Sequence, residues 1–259
     1  MLEILFNALI ASLLLSISIA LVGPFMMIGR YNYLAASIAH GSYGGVGLAL
    51  YFGTSILLGA TSFALALALL LAFITLKSNR TEILISVIWA VGMSIGVIFS
   101  DLTPGYHPDL LGYLFGDILL IPSSDLWFMA GVDLLTLIFF SIFYHHLLAI
   151  AYDREFAKTR GLPVGFLHTA MLLIIALTIV ASIRAIGLIL VIALFSIPPF
   201  VAERLSRNFT QLVFLSAFLS LLSMIAGLLL AYYLDIAASA AIVLVAATLF
   251  FISLSRKPR

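Results

Sequence analysis

The chain has 259 residues, 64% of them hydrophobic and only 9% charged, with a mean hydropathy of +1.27. A soluble protein of this size cannot hide so much apolar surface, so the composition indicates a protein that lives in a bilayer. A formal charge of +1 leaves no basic face for nucleic acid, and the lack of cysteine excludes disulfides, iron–sulfur clusters and thiolate metal sites.

Apolar runs of roughly 18–25 residues mark spanning helices. They fall near 4–27, 33–52, 55–76, 83–100, 127–149, 164–182, 185–202, 210–233 and 236–255, which predicts an all-α polytopic bundle of about eight or nine spans. The first run lacks a basic flank and a cleavage site before Pro24, so it reads as a retained span and not a signal peptide. In the second, Gly41 and Gly45 form a small-xxx-small pair that permits close helix approach. His40 sits there near mid-membrane, where ionisable side chains are expensive and face an interior or a cavity. It is either a contact for a divalent metal through its neutral imidazole, or a histidine hydrogen-bonded to a neighbouring helix.

The stretch 110–122 is too short to span and holds Asp117, which predicts an interfacial or re-entrant helix. His107 stands in an outer loop, where it belongs to a docking surface or to nothing. In the fifth span, Asp133 is either a second ligand on an ion path or a carboxylate reaching towards the interface. His145, His146 and His168 lie at the headgroup boundary and carry no predicted role. Arg184 pairs with an outer carboxylate or gates the outer mouth, and Pro198-Pro199 should kink or end its helix.

Between the fifth and sixth spans, Asp153, Arg154, Glu155, Lys158 and Arg160 crowd into eight positions, followed by Gly161. Such a polar patch between apolar helices predicts a docking point for a soluble partner. Orientation follows from the basic residues: with the N-terminus outside, eleven of the twelve fall on the inner side, leaving only Arg184 outside. The C-terminus and the patch are then cytoplasmic, and Asp101, Asp109, Asp117, Asp125 and Asp235 form an acidic outer face. Neither HExxH nor a phosphate-binding loop occurs, so the chain should neither hydrolyse ATP nor act as a metalloprotease. Tyr152-Asp153 and Gly116-Asp117 are in the wrong order for an intramembrane aspartyl protease, which leaves an intramembrane hydrolase a remote alternative. Residues 1–259 read as one compact helical domain without linkers.

Five stretches together resemble the membrane subunits of ATP-binding-cassette importers for zinc, manganese and related metals, the ABC-3 family. They are GPFMMIGRYNYLAASIAHGSYGGVGLAL (23–50), LFGDILLIPSSDL (114–126), YDREFAKTRGLPV (152–164), SIRAIGLILVIALFSIPPFVAERL (182–205) and YYLDIAASAAIVLVA (232–246). The resemblance implies that 153–162 is a coupling helix seated in a groove of a separate ATPase, and that His40 lies by the metal path. It implies as partners a cytoplasmic ATPase dimer, an extracytoplasmic metal-binding protein and a second permease copy, in a cell membrane, with no permanently bound cofactor. Permeases for metal chelates or cobalamin-like cargo share this plan and form the alternative. One departure stands out: Ala36 occupies the position, one turn before His40, where the family commonly has an aspartate. Oxygen ligands suit Mn²⁺, so losing this one favours Zn²⁺ as the expected cargo.

Overall fold

The computed structural model describes residues 2–77, 81–105 and 113–255, and no strand occurs among them. Long apolar helices dominate because, without water, a backbone can satisfy its polar groups only within itself. The helices are α1 (Leu2–Ile28), α2 (Asn32–Gly41), α3 (Tyr43–Tyr51), α4 (Ile56–Lys77), α5 (Thr81–Asp101) and α6 (Ser123–Tyr152). There follow α7 (Arg154–Thr159), α8 (Val164–Ile186), α9 (Leu188–Leu205), α10 (Phe209–Leu234) and α11 (Ala238–Leu254).

Among the described residues, six helices are long and apolar enough to cross a membrane: α1, α4, α5, α6, α8 and α10. The remaining expected spans are shorter or interrupted. α11 has 17 residues, and α9 has 18 with both Pro198 and Pro199 inside it. The prolines therefore do not end α9, which continues to Leu205. Gly23 of α1 packs directly against Pro199; a Cβ there would also come within 2.9 Å of the Phe195 carbonyl.

The expected span 33–52 is interrupted at Ser42. Its backbone stays in the right-handed region, but its hydroxyl turns back onto the Ala39 carbonyl at 2.6 Å. The Ser42 carbonyl then accepts from both Gly45 and Val46, the tightened pattern of a broken ladder. Glycines explain how this pair sits so deep: a Cβ on Gly44 would come within 2.8 Å of the Gly92 carbonyl, and one on Gly45 within 2.6 Å of Phe63 Cβ. α2 and α3 are thus wedged against α4 and α5 almost backbone to backbone.

α8 and α1 form the centre of the bundle, with α4, α6 and α2 around α8 and with α6, α9 and α10 around α1. Their most apolar windows are 67% and 50% buried, against 17% for α5, so α5 lies at the periphery. The predicted re-entrant helix at 110–122 is corrected in part. Residues 113–115 are helical, Gly116 turns the chain at φ 68°, and only a 3-10 turn at Ile118–Leu120 follows. The Asp117 side chain accepts from the Leu119 amide and stops further helix. His107 lies outside the described residues.

Helix direction sorts the charges. Arg30, Lys77, Arg154, Lys158, Arg160, Arg204 and Arg207 collect at one end of the bundle; Asp101, Asp117, Asp125 and Asp235 lie at the other.

Candidate functional site

His40 is half-buried at the C-terminal end of α2, beside the Ser42 interruption. Its Nδ1 lies 2.9 Å from the Ala36 carbonyl, which can only accept, so Nδ1 carries the proton. In the neutral ring the lone pair is then on Nε2, the arrangement that a second-sphere carbonyl imposes on metal-binding histidines. The imidazole also packs against Trp89 of α5, ring centroids 4.7 Å apart and tilted by 49°. Below it, the Ser42 hydroxyl meets the buried Tyr113 hydroxyl at 3.0 Å. Burial pushes that phenol well above its ordinary range, so it remains a neutral hydrogen-bonding group.

Asp133 is elsewhere. It is the eleventh residue of α6, only 6% exposed, and it accepts a short hydrogen bond from Ser18 of α1. The prediction of a carboxylate reaching to the interface is therefore corrected: it is sealed between helices. Its Oδ2 and the Thr136 hydroxyl are buried with no hydrogen-bond partner. His40 and Asp133 do not share contacts, and among the described residues no group of three or more His, Asp or Glu side chains could hold a metal ion.

The segment predicted to dock a partner is well formed. Asp153 is the N-cap of α7, its Oδ1 accepting from the Phe156 amide at 2.9 Å. Gly161, at φ 77°, closes the other end, and the Leu162 amide bonds back to Ala157 at 3.2 Å. Ala157 is fully buried and anchors the helix, whereas Glu155, Phe156, Lys158, Thr159 and Arg160 are exposed. Arg160 lies over the Phe156 ring at 5.2 Å, so an aromatic knob is framed by charge. Arg154 is half-buried and faces inward.

The His168 bonds and a glycine contact at the acidic end escaped sequence reasoning. His168, which showed no signal beyond its position, is buried and bonded on both ring nitrogens, to the Tyr31 hydroxyl at 3.0 Å and to Thr75 Oγ1 at 2.8 Å. At the acidic end, Arg184 and Asp125 form an ion pair of 2.8 Å, the pairing alternative of the sequence reading. Next to it, Gly187, at φ 81°, meets Gly116 so closely that a Cβ on Gly187 would be 2.6 Å from the Gly116 nitrogen.

These elements define a polytopic helical membrane protein with a capped, exposed helix between two long spans, the plan of a transporter's membrane subunit. The chain belongs to the ABC 3 transport family, whose model matches residues 1–257. It is 41% identical to an uncharacterised membrane protein of Synechocystis over 98% of this chain and 90% of that one. It is 30% identical to the manganese transport system membrane protein MntC of Listeria innocua, over 98% and 90% of the two chains. Among solved structures, PsaBC of Streptococcus pneumoniae in complex with a Fab superposes with a TM-score of 0.86 at 28% identity, covering 97% of this chain and 91% of that one. Chains of this kind are permease subunits of ABC importers and not enzymes; ATP is hydrolysed by a separate ATPase.

Proposed function

We propose that this chain is the permease of a divalent-metal importer, that residues 1–259 act as one domain, and that Mn²⁺ is its principal cargo. The observation that carries the reading is α7: a helix of six residues capped at both ends, anchored through Ala157, and presenting Glu155, Phe156, Lys158 and Arg160 outward. Such a knob suits the groove of an ATPase, and the positive-inside bias supports placing this end in the cytoplasm, with the N-terminus outside. A second permease copy and an extracytoplasmic metal-binding protein complete the importer.

Cargo identity turns on two arguments. The missing carboxylate at Ala36 pointed to Zn²⁺. However, Nδ1 of His40 is occupied by that residue's own carbonyl, so α2 offers one imidazole nitrogen, and a lone nitrogen ligand does not select between Mn²⁺, Fe²⁺ and Zn²⁺. The relatives then weigh more, and several are named as manganese transport proteins. Asp133, bonded to Ser18 and without contact to His40, is proposed as a polar helix contact and not as a partner ligand.

The test is uptake of radioactive manganese, with zinc in parallel, in cells lacking their own importers and expressing this chain with its ATPase and binding protein. Manganese uptake lost in His40→Ala and retained in Asp133→Asn is the expected result. Zinc uptake without manganese uptake would restore the expectation drawn from Ala36; uptake of neither would reject the metal-ion reading.

A further inference from the structure

At the basic end, a cavity of about 560 Å³ opens between the α1–α2 turn, the last turns of α4 and α6, and the first turns of α7 and α8. That volume is in the range of small-ligand sites, roughly 300–1,000 Å³. Arg30 and Arg154 line it and no carboxylate does. The described residues provide neither arginine with an ion pair. Two uncompensated guanidinium groups on one concavity make a site for an anion.

The backbone at Arg30 adds weight. Arg30 is at φ 57°, the left-handed cap that ends α1, with the Tyr31 amide bonded to the Met26 carbonyl at 2.8 Å. Glycine is the favoured residue there, because a Cβ crowds the backbone in this conformation. Strain of this kind persists where surrounding structure holds a side chain in place for use.

The floor of the cavity is built and neutral. The Thr75 hydroxyl donates to the Leu71 carbonyl at 2.7 Å, so His168 Nε2–H donates to Thr75 and Nδ1 accepts from the Tyr31 hydroxyl. Burial pushes the Tyr31 phenol up to about 12, which keeps its proton for that bond. This chain ties α4, α8 and the α1–α2 turn together and places no carboxylate on the cavity lining. Tyr152, 67% exposed, stands at the rim where the helices end, a position typical of interfacial aromatics.

We propose that this cavity binds a phosphate-bearing anion held between Arg30 and Arg154. Its source is an anionic lipid headgroup or free phosphate. The position, at helix ends on the arginine-rich side, is where basic pockets between spanning helices take lipid headgroups. Such an anion would join the α1–α2 turn, which leads into the helix that carries His40, to the first residue of α7. The inference is independent of which ion the chain carries.

The test uses the purified full-length chain. Native mass spectrometry reads retention of added phosphatidylglycerol against phosphatidylcholine, and thermal unfolding in phosphatidylcholine nanodiscs reads added inorganic phosphate. For the wild type, retention of one phosphatidylglycerol roughly tenfold or more above phosphatidylcholine is expected. Arg30→Gln/Arg154→Gln should abolish the preference, and Arg30→Lys/Arg154→Lys should keep most of it, with matching circular dichroism showing that both fold. Stabilisation by phosphate alone, lost in the Gln pair, would identify the soluble anion as ligand. Equal behaviour of the wild type and the Gln pair in both arms overturns the proposal. Should that pair instead lose only the co-purifying ATPase, the arginines would belong to partner docking and the anion site would be rejected. If neither Gln variant folds, Arg154→Gln alone, at the half-exposed position, decides: an unchanged preference rejects the site.

Discussion

The two ends of the bundle solve opposite problems. At the acidic end the chain is sealed: Gly116 and Gly187 bring two backbones into contact, and Arg184 pins Asp125 at 2.8 Å beside them. At the basic end, α7 stands clear of the bundle and a cavity of about 560 Å³ opens beneath it. The contrast has a physical origin. Backbone contact through glycine removes side-chain freedom and leaves few alternative packings, whereas a helix anchored by one buried alanine has little holding it but its caps. One end is tightly packed and the other is loosely held.

The strongest way to break this contrast is Gly187→Ala. A methyl group would meet the Phe115 carbonyl oxygen and the Gly116 nitrogen, at a backbone conformation that alanine resists. Strain and overpacking together should cost about 3 kcal/mol, seen as a lowered thermal midpoint in detergent. An unchanged midpoint would mean the end is not sealed.

Next in size is the ion pair. Arg184→Gln leaves Asp125 buried without its partner, and because Arg184 is half-exposed the loss should be near ~2 kcal/mol, below that of a fully buried pair. A double-mutant cycle with Asp125→Asn separates the pair from its neighbours; additive losses would show that the two residues do not act together.

At the open end the effects should be smaller in stability and larger in assembly. Asp153→Ala removes the α7 cap and should cost about 1 kcal/mol. Co-purification of the ATPase should fall with it, and recovery in Asp153→Ser would assign the loss to the cap. The smallest structural effect belongs to Phe156→Ala, roughly 0.5 kcal/mol or less for an exposed ring. ATP hydrolysis by the ATPase assembled with this variant should nevertheless no longer respond to metal, and a normal response would remove α7 from the proposed docking surface.

Much of this was legible in advance. The apolar runs located the helices to within a few residues, since a bilayer accepts little else, and the charge cluster at 153–160 marked α7 because a helix end in water has no other use for five charges. His40 could be singled out for the same reason, as a costly side chain in an apolar run. Periodicity could not reveal the interruption at Ser42, because its dihedral angles stay helical, nor its hydroxyl contact with Tyr113, which lies 71 residues away. The interfacial alternative for Asp133 fails because depth along a span says nothing about which helix faces it; Ser18 of α1 supplies a hydrogen bond to the buried carboxylate.

The sequence alone thus determined the membrane environment, the all-helical class and the exposed charged segment at 153–160, since these follow from transfer free energies and charge placement that each residue carries by itself. Only the tertiary structure decided that Ser18 meets Asp133, that His168 joins Tyr31 to Thr75, and that Arg30 and Arg154 share one cavity. Hydrogen-bond partners and concave surfaces arise from helices far apart in the chain, and no local pattern records which of them will meet.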